Sequence, residues 1–168
     1  MGNMDGALYL HDSYLQSCSS KVVSARDGKF VFLDRTVFYP RGGGQPWDTG
    51  KITRLSDGAE FPVVAVVKAE GSISHEVSGP GLQEGDSVEC QIDWQRRHRL
   101  MRMHTAGHIL SSIMFRRQGI LITGNQLDTD KTRFDFSMEN FDKGEFQSLV
   151  DEAQVCGDAR KGDTRGTD

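Results

Sequence analysis

The chain has 168 residues, of which 36% are hydrophobic, and a formal net charge of -4. This is enough for one compact domain or two small ones and predicts a soluble globular protein. The longest apolar run, around Val63 to Val67, falls far short of the roughly 20 residues a bilayer helix needs, which excludes such a span. The polar N-terminus lacks a signal-peptide pattern, and Cys18, Cys90 and Cys156 are odd in number and widely spaced, which excludes a disulfide framework. A reducing, cytoplasmic location is the expectation.

In chain order, the first 93 residues read as short strands divided by turn signals. Phe30 to Leu33 and Thr36 to Tyr39 are β-branched and aromatic runs, closed by Pro40 and the glycines Gly42, Gly43 and Gly44. Thr49 to Leu55, Phe61 to Lys68, Ser72 to Val77 and Asp86 to Asp93 follow, punctuated by Ser56-Asp-Gly58, Glu70-Gly71, Gly79-Pro-Gly81 and Glu84-Gly85. Strands at such short intervals predict a small barrel or sandwich.

From Gln95 the hydrophobic period becomes helical, through Leu100, Met103, Gly107, Leu110 and Ile113 or Met114, with Gly119 as the stop. Ile120 to Ile122 and Thr132 to Phe136 are then expected strands, with turns at Gly124-Asn125 and Asp128-Thr-Asp130. Asp142 to Gln154 is expected to be a second helix with Phe146, Leu149, Val150 and Ala153 as its apolar stripe. Residues 155–168 offer almost nothing to bury and read as a disordered tail.

Three features carry chemistry. His104 and His108 lie one helical turn apart and so project from one face, where both rings can meet one Zn²⁺; the same spacing also suits two surface histidines on an amphipathic helix. Thr105, Ala106 and Gly107 between them include no general base, so this is not the motif of a zinc protease. The stretch from Trp94 to Gly119 carries Arg96, Arg97, Arg99, Arg102, Arg116 and Arg117 with no acid, and reads either as a solvated face or as a phosphate-binding one.

The second feature is Arg41-Gly-Gly-Gly-Gln-Pro-Trp-Asp48, whose backbone can approach a ligand closely and cradle an anion, or can simply form a tight turn. Thr36 and Gln45 add hydrogen-bonding groups near it. Thr123-Gly-Asn-Gln126 followed by Arg133-Phe-Asp-Phe136 is the third, able to edge a pocket or to alternate between core and surface.

Taken in order, Leu33-Asp-Arg-Thr-Val-Phe-Tyr-Pro40, the glycine motif from Gly42 to Gly50, Ile92-Asp-Trp-Gln-Arg-Arg97, His104-Thr-Ala-Gly-His108, Thr123-Gly-Asn-Gln126 and Arg133-Phe-Asp-Phe136 resemble the alanyl-tRNA editing proteins of the AlaX type. The resemblance runs from about residue 5 to Ala153. It implies an α+β architecture with a small β-barrel over residues 1–93 and a truncated editing domain over 94–154, of the threonyl- and alanyl-tRNA synthetase type, leaving 155–168 as a non-homologous tail. It also implies zinc-dependent removal of serine, or glycine, from mischarged tRNA(Ala).

By matching position, the resemblance makes His104 and His108 zinc ligands, Thr36, Gln45 and Gln126 catalytic, and Gly42, Gly43, Gly44, Arg97, Arg102 and Asn125 substrate-binding. A later Cys-x-x-x-His completes the zinc site in that family. Here Cys156-Gly-Asp-Ala-Arg160 ends in arginine, which cannot ligate, so a weak or incomplete zinc site is expected. The competing expectation is therefore a non-catalytic remnant that binds tRNA or a protein partner, with uncovered apolar surface available for self-association and no attachment to membrane.

Overall fold

The structure is a computed structural model, and it describes residues 6–129, 131–137 and 142–162, with the side chains of 155–162 outside that set. The chain divides into two compact units, Met1–Arg97 and His98–Asp168. The fold class is α+β.

The first unit is a closed six-stranded antiparallel barrel. Its strands are β1 (Ser17–Arg26), β2 (Phe30–Leu33), β3 (Gly50–Arg54), β4 (Glu60–Ala69), β5 (Ser72–Val77) and β6 (Ser87–Ile92), in the order β1-β2-β5-β4-β3-β6 with β6 returning to β1. Alternation selects the core: Val88, Cys90 and Ile92 of β6, Ile52 of β3, and Phe61, Val63 and Val66 of β4 turn inward. The change of phase after Val63 is a register shift between Val63 and Ala65 that keeps Val66 inside.

β1 is a strand the composition does not announce, since Val22 and Val23 stand among serines and charged residues. Its inward Ser20 is buried because the hydroxyl donates to the Arg35 carbonyl oxygen at 2.7 Å. Cys18 and Cys90 face one another across β1 and β6 as free thiols.

Thr36 to Tyr39, expected as a strand, is a buried irregular segment. Its residues are apolar enough for a core strand, but side chains take its amides: Phe38 N–H donates to Thr36 Oγ1 and Tyr39 N–H to Asp48 Oδ2. Thr36 itself is tied by its backbone to Gly6 and Leu8.

Helix α1 (Trp94–Gln118) starts in the first unit and continues in the second. Asp93 caps it, accepting the Arg96 N–H at 3.1 Å, and Gly119 with φ 65° ends it. In the second unit β7 (Ile122–Leu127) pairs antiparallel with β8 (Thr132–Phe136), and α2 (Lys143–Gly162) follows. Leu110, Met114, Ile120 and Leu149 form the core there, with Phe134, Phe136, Phe146, Val150 and Ala153 packed on it.

Two expectations change in this unit. Gly124-Asn-Gln126 lies inside β7 rather than in a turn, and a register shift between Ile122 and Gly124 absorbs its irregular pattern. The backbone of α2 passes Gln154 and is helical to Gly162, so disorder does not begin at residue 155; residues 163–168 of the expected tail lie outside the described residues. Ala159, Arg160 and Lys161 are competent helix formers, and one interior glycine, Gly157, costs only about 1 kcal/mol.

Candidate functional site

The candidate residues divide between the two units. In the first, the glycine motif is a two-residue turn: Gly42 N–H donates to Gln45 O at 3.2 Å, Gln45 N–H to Gly42 O at 3.0 Å, and Gly43 and Gly44 take φ 60° and 77°. Two successive positive φ angles define a turn that glycine alone enters without strain. The Gly42 and Gln45 amides are thus paired with each other, and any anion cradle must use other donors of the loop. A pocket of about 120 Å³ beside the turn is lined by Tyr9, Leu10, Tyr39, Pro40, Gly42, Gly43 and Lys68.

The roots of this loop are held firmly. Asp48 N–H donates to Tyr39 O and Trp47 Nε1 to Val64 O, while Arg96 donates to Trp47 O from Nε and Nη2. Arg97 grips Asp48 through Nε and Nη2, and also donates to Ser13 O and Val37 O. Arg97 is 2% exposed and Asp48 1%. This corrects the expectation that Arg97 holds substrate phosphate, because a guanidinium so enclosed and so fully bonded has no face to offer an external anion.

Thr36 lies just before this loop and is 3% exposed. Its hydroxyl accepts the Phe38 N–H at 3.1 Å and lies 2.7 Å from His75 Nε2, while His75 Nδ1 lies 2.9 Å from Val31 O. Enclosure of the ring pushes the His75 pKa down to about 4, the Val31 hydrogen bond opposing only part of that. The expected result is a His75 ring that keeps its neutral-form NMR shifts on acidification until about pH 4. Since the unfolded chain takes up this proton below about 6.5, the His75 contribution to stability declines as pH falls through that window.

In the second unit, the helical spacing of His104 and His108 brings their Nε2 atoms to 2.9 Å, with the rings at 73°. Burial lowers the His104 pKa, and the neighbouring His108 lowers it further, which favours the neutral form of the His104 ring. His104 Nδ1 is buried and has no hydrogen-bond partner among the described residues. Two imidazoles whose Nε2 atoms converge on one point match the donor type that zinc takes. Among the described residues no group of three or more His, Cys, Asp and Glu is assembled for a metal, and the histidine pair by itself offers two donor atoms.

Gly107, between the histidines, lets the helix approach β8: a Cβ there would lie 3.1 Å from the Phe134 ring. Asn125 and Gln126 are exposed on β7, opposite Phe134 and Arg133. Arg99, Arg102 and Arg116 are exposed and make no salt bridge among the described residues, whereas Arg117 pairs with Glu152 at 3.0 Å. Of the arginines expected to meet phosphate, Arg99, Arg102 and Arg116 are thus exposed and outside any salt bridge among the described residues. Sequence reasoning missed His75, and it placed Asp48 in the glycine motif without a role of its own; for His75 the available signal was a lone histidine in an alternating strand at an inward position.

Residues 11–96 match the model of the tRNA synthetases class II (A) family. The chain is 52% identical over 147 residues to alanyl-tRNA editing protein AlaX-M of Methanosarcina barkeri, an alignment covering 85% of this chain and 60% of that protein. It is 37% identical to AlaX-M of Pyrococcus horikoshii, over 99% of this chain and 80% of the relative. An alanine--tRNA ligase of Pyrobaculum neutrophilum is 37% identical across 86% of this chain, which corresponds to 16% of that protein. The chain thus spans about three-fifths of the Methanosarcina barkeri relative. With its barrel, glycine turn and paired helical histidines, the chain belongs to the family of AlaX-type alanyl-tRNA editing proteins.

Proposed function

We propose that this chain takes part in alanyl-tRNA editing, hydrolysing the ester that joins serine or glycine to tRNA(Ala). The observation that carries the reading is the His104 and His108 pair, with Nε2 atoms 2.9 Å apart in a chain of this family. These two residues would hold zinc, which when bound supplies a Lewis acid for the ester carbonyl or for water. The other ligands would be water, substrate or groups outside the described residues.

The chain's own groups do the rest in this reading. Water adds to the ester carbonyl, and backbone amides together with the side-chain amide of Gln126 or of Gln45 donate to the oxyanion that forms. Collapse of that adduct breaks the bond to the terminal ribose oxygen, which leaves with a proton. Thr36 reads the hydroxyl of a seryl group, and Gly42, Gly43 and Gly44 let backbone approach the aminoacyl end. Arg102 meets tRNA phosphate and Asn125 adds a polar contact. Incubation with Ser-tRNA(Ala) and zinc should release serine more than about tenfold faster than a His104→Ala variant; equal rates would refute the proposal.

A second reading, tRNA binding without catalysis, is favoured by the three exposed arginines Arg99, Arg102 and Arg116. Filter binding across a salt series separates it. A steep loss of affinity with salt, without serine release, supports binding alone, and a flat response argues against phosphate contact. Exposed Phe115 and Leu121 are side chains that self-association would cover. No helix among the described residues is long and apolar enough to cross a membrane, and a cytoplasmic location accords with the proposed role in translation.

A further inference from the structure

His75 is completely buried, and both of its ring nitrogens are engaged inside the barrel. A carbonyl oxygen has no proton to give, so His75 Nδ1, 2.9 Å from Val31 O, carries the hydrogen and donates it. With the ring neutral, Nε2 is bare and can only accept. The group 2.7 Å away is the Thr36 hydroxyl, which must therefore point its proton at His75. The same oxygen already accepts the Phe38 N–H at 3.1 Å.

A hydroxyl has one proton and two lone pairs. Here the proton goes to His75 and one lone pair to Phe38, so the remaining lone pair can only accept. We propose that His75 is a positioning residue for substrate selectivity: it fixes the Thr36 hydroxyl as a hydrogen-bond acceptor, so that the protein favours an aminoacyl group whose side chain ends in a donor. A seryl hydroxyl meets that requirement; an alanyl methyl and a glycyl hydrogen do not. The assignment rests on the reading of Thr36 given above. It adds a direction to that contact, and directionality is what a neutral, enclosed imidazole can impose.

The experiment measures kcat/KM for release of serine and of glycine from tRNA(Ala) by the wild type, His75→Leu, His75→Gln, Thr36→Val and the double variant His75→Leu/Thr36→Val. The serine-to-glycine ratio should fall about tenfold in His75→Leu, the worth of one directed hydrogen bond. His75→Gln, whose Oε1 can accept from Thr36, should recover most of it. Thr36→Val should lose the same ratio, and the double variant no more than either single.

Equal losses on serine and glycine would make His75 a packing residue and overturn the assignment. ¹⁵N NMR of the wild type tests it without any activity: protonated Nδ1 with bare Nε2 is expected, and the opposite tautomer sinks it. A wild type that releases neither amino acid would refute the editing reading itself, and the selectivity role with it.

Discussion

Replacing Arg97 with methionine is expected to destabilise the protein by about 3–5 kcal/mol, because it strands the buried carboxylate of Asp48 without its partner. The two side chains are 3% and 1% exposed, so neither water nor salt can take the place of the guanidinium. Loss of Arg97 also leaves Ser13 O and Val37 O without their donor. Urea unfolding should show the midpoint fall. Adding Asp48→Asn to the methionine variant should restore part of the loss, since an Asn oxygen still accepts the Tyr39 N–H that Asp48 Oδ2 binds at 2.8 Å while carrying no charge. An Arg97→Met protein as stable as the wild type would show that the pair is not enclosed as described.

The same variant separates scaffold from tRNA contact. If Arg97 holds the glycine loop and does not meet phosphate, a folded Arg97 variant keeps the salt slope of tRNA binding, whereas Arg102→Ala reduces that slope by about 1. The contrast follows from burial alone: two arginines of one helix differ because Arg97 bonds into the barrel and Arg102 is exposed.

Residue pattern was a sound guide wherever it reported burial on one face of a regular element. Phe30–Leu33 and Ser72–Val77 are strands with the bounds that their turn signals set, and the helix anticipated from Gln95 to Gly119 runs from Trp94 to Gln118. It failed where side chains replaced backbone partners. Ser20 sits inward with its hydroxyl bonded to Arg35 O, so β1 carries no apolar run by which a strand could be named. Thr36 to Tyr39 looked like a strand because it is apolar, yet Asp48 and the Thr36 hydroxyl take its amides.

The same distinction applies to the candidate site. Spacing alone set His104 and His108 on one helical face, since four residues make about one turn. The partner of an arginine 49 residues away in sequence has no local signature, so the burial of Arg97 against Asp48 was invisible. Nor could any period reveal that His75 and Thr36, 39 residues apart, share a proton bridge.

Gly50→Ala is expected to cost about 3 kcal/mol, the upper end of what overpacking a well-packed interior does. Gly50 stands opposite Ile92 where β3 pairs with β6. A Cβ at Gly50 would collide with the carbonyl oxygen of Gln91 and lie 2.8 Å from Ile92 Cα. Both obstacles are backbone, so no rotamer change relieves them and β3 must move away from β6. Val88, Cys90 and Ile92 of β6 belong to the barrel core, and the adjacent Asp93 N–H, 2.7 Å from Thr49 O, anchors the residue that caps α1. Displacement at Gly50 therefore spreads into the core and into the neighbouring end of the glycine loop. Gly42→Ala is the control, because a Cβ there meets nothing within 4 Å, and its stability should stay within about 0.5 kcal/mol of wild type. Denaturation midpoints that fall equally for both, or for neither, would contradict the close approach of β3 and β6 on which this contrast depends.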